Sequence, residues 1–196
     1  MHIVIASHNM HKIREIRSIL KTLYTGDLLS LADFPHYTPP PETGLSFEDN
    51  AILKAVHAAQ TLQAWVLADD SGLVVPSLKG APGIRSARYA GEQATDAENR
   101  KKLLEAMCTF TEDARAAYYE CHVALASPEG LKKCVRGTSE GILLTQERGG
   151  GGFGYDPLFL KHEYSKTFSE MPETLKNRIS HRRKALDKIS IFFPSL

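Results

Sequence analysis

The chain opens on a β-branched apolar run, HIVIA (2–6), that stops at SHN, after which Ile13, Ile16, Ile19, Leu20 and Leu23 recur at helical spacing. This predicts a strand, a tight turn and a helix over 10–24. The next stretch, DFPHYTPPPETG (33–44), carries too much proline for a helix or a central strand and reads as a long loop of the kind that often carries function. SFEDNAILKAVHAAQTLQ (46–63) predicts a helix with Ser46 as N-cap and Asp49 as the acidic member of a capping box. WVLADD (65–70) then reads as a buried strand finishing in two aspartates. A glycine- and proline-punctuated loop follows (77–91), and TDAENRKKLLEAM (95–107) begins a helix capped by Thr95 or Asp96. AAYYECHVALAS (116–127) and KKCVRGTSEGIL (132–143) flank PEG and predict a hairpin. ERGGGGFGYDPLFL (147–160) runs from loop into a short strand, and SHRRKALDKISIFF (180–193) predicts a helix opening at Ser180. The order β-α-α-β, hairpin, final helices implies a mixed sheet flanked by helices. With no repeat and no long linker, 1–196 reads as a single domain.

Composition narrows the partners. At 42% hydrophobic and 24% charged residues with a formal net charge of +1, the 196-residue chain is ordinary for a soluble protein and has no global bias toward DNA, RNA or an anionic membrane. Cys108, Cys121 and Cys134 form no CxxC pair, which argues against zinc, thiol redox chemistry and structural disulfides and fits a reducing cytoplasm. The N-terminal apolar segment is too short for a signal peptide or a membrane span.

Five segments invite chemistry. Burying an unpaired carboxylate is costly, so a strand carrying Asp69 and Asp70 needs a reason. Neighbouring strand residues face opposite ways, so the two acids should have different partners, one bracing the structure and the other reacting. In ASHNMHK, an N-cap Asn9 with free backbone amides and Lys12 in the first turn would make an anion site, or simply a capped helix with a solvated lysine. SHRRK sets His181, Arg182, Arg183 and Lys184 at a helix N-terminus, where the dipole disfavours positive charge; a bound phosphate or carbonyl would offset the cost, and solvation is the alternative. The glycines at 149–152 and 154 surround Phe153, which could stack on a planar base or tuck into the core. Glu42 and Glu48 lie near the proline-rich loop, and Glu42 with one aspartate would suffice for magnesium beside substrate phosphates. These are the parts for binding a nucleoside triphosphate.

Taken in order, SHNMHKIREI, ETGLSFEDNAILKA, LADDSGL, GAPGIRSARYAG, GGFGYDPLF and ISHRRKAL resemble the signature blocks of the Ham1-like inosine/xanthosine triphosphate pyrophosphatases, from near the N-terminus to the last helix. The resemblance implies an elongated mixed α/β sheet in two lobes with the active site in a central cleft, a homodimer, and Mg2+-dependent hydrolysis of ITP, dITP and XTP to monophosphate and pyrophosphate. By position, Ser7, His8, Asn9, Met10, His11 and Lys12 would line the triphosphate and Lys54 would add a second cation. Glu42 and Asp70 would hold the metal, Asp70 would also be the general base, and Ser71 would contact substrate. Phe153 would stack on the purine, with Gly154, Tyr155 and Asp156 completing that wall and Lys176 touching the nucleotide. His181 and Arg182 would approach the base edge, where a donor to O6 favours hypoxanthine and xanthine over adenine. Two positions depart from the family pattern: His8, where glycine is common, and Arg183, where a small residue is common. The rivals are a Maf-like nucleotide pyrophosphatase, a nucleotide-binding regulator without turnover, and a nucleic-acid binder resting only on HRRK.

Overall fold

The computed structural model describes residues 2–193, apart from the side chain of Glu112. Strand β1 (His2–Ile5) leads into helix α1 (Met10–Leu20), then β2 (Asp27–Ser30), α2 (Phe47–Leu62), β3 (Trp65–Val74), α3 (Asp96–Ala106), β4 (Ala116–Ser127), β5 (Gly130–Leu143), β6 (Phe159–Lys161), α4 (Glu173–Ile179) and α5 (His181–Ser190). The strands form a six-stranded sheet in the order β2-β1-β3-β4-β5-β6. Strand β1 pairs in parallel with β2, Ile3 opposite Leu28, and with β3, Val4 opposite Val66. The β5–β6 pair is antiparallel, so the sheet is mixed as expected.

Two compact units share this chain. The first comprises Met1–Asp70, Cys121–Gly137 and His181–Leu196; the second comprises Ser71–Glu120 and Thr138–Ser180. In the first, strand alternation sorts the core into two faces. Ile3 and Ile5 of β1, Leu67 of β3 and Cys121, Val123 and Leu125 of β4 pack with Ile13, Ile16 and Ile19 of α1 and Leu186 and Ile189 of α5. On the other face Val4, Val66, Ala68, Ala124 and Ala126 meet an alanine stripe of α2, Ala51, Ala55, Ala58 and Ala59. Each fully buried isoleucine contributes roughly 1.5–3 kcal/mol. Helix α5 lies so close to β5 that a Cβ at Gly137 would sit 2.2 Å from the carbonyl oxygen of His181.

The second unit is aromatic at its centre. Leu73, Leu103, Met107, Tyr119, Leu143, Tyr155, Phe159 and Phe168 form its core, with the Tyr119 and Phe159 rings edge-on at 4.8 Å.

Local signals placed most elements. Asn9 caps α1 and Ser46 caps α2. Asp49, however, reaches back to the amide of Leu45 rather than to Ser46, so the reciprocal bond of the expected box falls one residue outside it. Thr95 and Glu98 do form a full box at the start of α3. The short β2 and the seven-residue α4 carry too few apolar positions to show a period. Strand β3 corrects a larger expectation: it does not finish at the aspartates but continues to Val74, because each carboxylate meets partners that let the ladder run on.

Candidate active site

Asp69 and Asp70 are both buried, and their partners differ as alternation requires. The Asp69 carboxylate takes the Lys12 ammonium at 3.2 Å and the Arg182 guanidinium at 3.2 Å on the same oxygen. Burial pushes its carboxyl up, but Lys12, Arg182 and Lys54 outweigh burial and hold it far below the ordinary carboxylate range. Asp69 therefore stays ionised and serves as an anchor for cations.

Asp70 accepts from Lys54 Nζ at 3.1 Å on one oxygen and from Asn50 Nδ2 at 3.3 Å on the other. Here burial wins: it lifts the carboxyl above its usual value, Lys54 and Lys12 pull it back, and the negative charge of Glu42 adds to the rise. Lys54 also donates to Glu42 Oε1 at 2.8 Å, so one ammonium joins the two carboxylates expected to hold a metal. For Lys54, burial works against the charged form, but Asp70, Asp69 and Glu42 outweigh it and raise its pKa. Asn50 completes the arrangement, because its Oδ1 accepts from the amide of Gly44 at 2.8 Å while its Nδ2 serves Asp70. It thereby ties the ETG loop bearing Glu42 to the Asp70 carboxylate. Sequence reasoning missed Asn50. A fully buried amide on the alanine-rich face of α2, one turn before Lys54, was the available signal.

The turn before α1 is only in part the expected anion site. Asn9 Oδ1 itself accepts from the amides of His11 at 3.0 Å and Lys12 at 3.2 Å, and Ser7 Oγ accepts from the Asn9 amide at 3.2 Å. Those amides are capped rather than free, because an Asn at the N-cap is the nearest acceptor to them. His8, Met10 and His11 are exposed along this turn, and Ser7 is half-buried.

In the second unit the glycine loop is built around Asp156. This buried carboxylate accepts from the Phe153 amide at 3.0 Å and from Lys176 Nζ at 2.6 Å. The Lys176 ammonium lies 4.7 Å from the centroid of the half-buried Phe153 ring, a cation–π contact that sets the ring's orientation. Gly154 is held at both ends, its amide donating to Asp96 and its carbonyl accepting from Arg100. The Tyr155 ring is buried in the aromatic core and its hydroxyl donates to the Ser86 carbonyl at 2.8 Å, which supports the loop from within. Asp156 likewise spends its carboxylate inside the protein. Ser71 is half-buried on β3, directly after Asp70. At Gly152, φ is +72° and a Cβ would lie 2.2 Å from Asp156 Oδ2. Gly152→Ala is therefore expected to lower the urea-unfolding free energy by more than about 1 kcal/mol.

Two cations of the basic cluster of α5 pair with acids of the protein. Arg182 is 1% exposed, and its guanidinium is committed to Glu15 of α1 and to Asp69. In this arrangement its side chain positions Asp69. Arg183 pairs with Asp187 one turn along α5 at 2.7 Å. The charges of Arg182 and Arg183 are thus met by the protein's own acids. Glu15, buried among the isoleucines of α1, was the unread signal for this pairing. His181, the first residue of α5, is buried with Arg182.

Among the described residues, no helix is long and apolar enough to cross a membrane. A protein-family model described as the Ham1 family matches residues 3–192. The chain is 55% identical over 197 aligned residues to a dITP/XTP pyrophosphatase of Protochlamydia amoebophila, covering 100% of this chain and 99% of that one. It is 50% identical to a dITP/XTP pyrophosphatase of Chlamydia caviae, covering 100% and 96%. A solved Ham1 protein from Coxiella burnetii superposes with a TM-score of 0.88 at 37% identity, covering 100% of both chains. The Ham1 protein of Staphylococcus aureus gives 0.86 at 39%, covering 100% of this chain and 99% of that one. A match across nearly the whole chain, with the same fold in the solved relatives, makes this protein a member of the Ham1 family.

Proposed function

We propose that this chain hydrolyses dITP, ITP and XTP to the monophosphate and pyrophosphate, with Mg2+ as cofactor and Asp70 as general base. The observation that carries the reading is the divergence of the adjacent acids: Asp69 held ionised by Lys12 and Arg182, Asp70 raised by burial and braced by Asn50 and Lys54. A raised, oriented carboxylate suits a group that must take a proton from water. Glu42 and Asp70 fit a hard cation, since both present carboxylate oxygens and both already gather around one ammonium. When bound, Mg2+ supplies positive charge against the charge developing on the phosphate oxygens.

The chain's own groups do the rest. Lys12 and Lys54 bring positive charge to a triphosphate beside Ser7, His8, Asn9, Met10 and His11, while Asp70 orients the attacking water and accepts its proton. The purine stacks on Phe153, whose ring is set by Lys176 and whose amide is fixed by Asp156. Gly154 and Ser71 flank substrate, and His181 donates to the purine O6, which adenine replaces with an amino group. We take residues 1–196 as one working domain, because β3, β4 and β5 each contribute residues to both units. A homodimer and a cytoplasmic location accompany the reading; light scattering at twice the chain mass tests the first.

Pyrophosphate release from ITP, dITP, XTP, ATP and GTP, with and without Mg2+, tests the activity. Turnover confined to the first three and lost with chelator supports the proposal, whereas tight ITP binding without turnover returns the regulatory reading. Phe153→Ala should raise KM for ITP by roughly 5- to 150-fold, the equivalent of about 1–3 kcal/mol for one stacked base. An unchanged KM would remove the ring from the base site.

A further inference from the structure

Helix α2 carries a second set of metal-ligating groups that the pyrophosphatase reading does not use. Along β4, His122 shares the parity of Ala124 and Ala126, the residues that face α2, and Cys134 of β5 packs with that same cluster. Glu48 lies in the first turn of α2, on the helix packed over this face. The result is a carboxylate, an imidazole and a thiol whose donor atoms all lie within 4.8 Å of one another. Helix α2 and the two strands of the β4–β5 hairpin, distant from it in sequence, thus bring one donor each to one place. We propose that Glu48, His122 and Cys134 form a binding site for a borderline-soft divalent cation of the Zn2+ class.

The donor chemistry selects the ion. Thiolate with imidazole favours Zn2+ over Mg2+, which takes oxygen ligands, and three protein donors leave a fourth tetrahedral position to water. Donors around tetrahedral zinc stand about 3.5 Å apart, so binding draws the set together, chiefly through the exposed Glu48. A cation held between the Glu48 carboxylate and the Cys134 sulfur takes the sulfur as thiolate, its proton passing to solvent. His122 is 9% exposed and Glu48 is exposed, so the set has a solvent side through which an ion enters. Bound there, the ion would fasten the first turn of α2 to the β4–β5 hairpin. Asn50 and Lys54, the partners of Asp70, stand on this same helix.

Cobalt(II) is the probe, titrated into the full chain under a non-thiol reductant and followed by its thiolate charge-transfer and tetrahedral visible bands, then displaced with Zn2+. One equivalent is expected in the native chain and in Cys108→Ser, with the thiolate band absent from Cys134→Ser and Zn2+ affinity at least tenfold weaker in His122→Asn and Glu48→Gln. Glu48 is exposed, so its variant keeps the test valid should the buried substitutions fail to fold. A thiolate band surviving in Cys134→Ser, or equal Zn2+ affinity in native chain and Glu48→Gln, overturns the site. Asp70→Asn should leave the cobalt spectrum unchanged. Loss of the spectrum there would assign the ion to the carboxylate pair and also overturn it, whatever the outcome of the nucleotide assays.

Discussion

Asp70→Asn is expected to slow pyrophosphate release from ITP by roughly 10²- to 10⁴-fold, the usual contribution of a positioned general base, while the far-ultraviolet circular dichroism stays native. Asparagine keeps the side chain's size and one acceptor for the two donors, Asn50 Nδ2 and Lys54 Nζ, so a native circular dichroism spectrum is what separates the missing carboxylate from a collapsed site. The pH profile makes the assignment sharper. The reactive form is the carboxylate, so the rate falls as pH falls through the Asp70 pKa, which burial lifts above the ordinary 3.8. Lys54 opposes that rise; Lys54→Met should therefore move the acid limb of kcat/KM to higher pH. An Asp70→Asn variant within a few-fold of native activity would remove Asp70 as the base, and an unmoved limb in Lys54→Met would show that another group sets it.

Arg182→Met should cost about 3–5 kcal/mol of stability, the usual penalty for breaking a buried ion pair by removing one partner. The guanidinium is 1% exposed and serves two buried carboxylates, Glu15 and Asp69; methionine fills much of the volume but leaves both acids without it. Urea unfolding followed by the fluorescence of Trp65, the one tryptophan in the chain, measures the change. The pH dependence has a definite sign. Asp69 is depressed in the folded state, so its contribution to stability is present above the ordinary carboxylate value and is lost as pH falls through its lower folded value. Without Arg182, burial acts against one fewer cation, the folded pKa rises, and acid unfolding should begin at a higher pH. A loss below about 1 kcal/mol would mean that Glu15 and Asp69 find other cations, and the positioning role of Arg182 would fall.

The parts of the site that were readable are those whose cause is local. Asn9 and Ser46 cap helices because a short polar side chain reaches amides two or three residues on. Phe153 among glycines was marked as a ring in a pliant loop, and it is half-buried there, oriented by Lys176. The unreadable parts share a different cause. The spacing of four basic residues at the start of α5 does not reveal that Arg182 pairs with Glu15 and Asp69 and Arg183 with Asp187. Sequence spacing does not reveal that the Tyr155 hydroxyl donates to the Ser86 carbonyl, 69 positions away. Asn50 passed as one more polar residue of a helix until Gly44 and Asp70 fell on its two ends.

Order along the chain was thus enough for the mixed sheet, the helices over its faces, the family blocks and the expectation that Asp69 and Asp70 part company, since periodicity and alternation follow from backbone geometry alone. Tertiary structure alone decided which acid is held ionised by cations and which is raised by burial. Arg182 meets Glu15 across 167 positions and Asp69 across 113, and those encounters set the charge that each carboxylate feels. Coulombic attraction and desolvation depend on distance through space, which sequence spacing does not record.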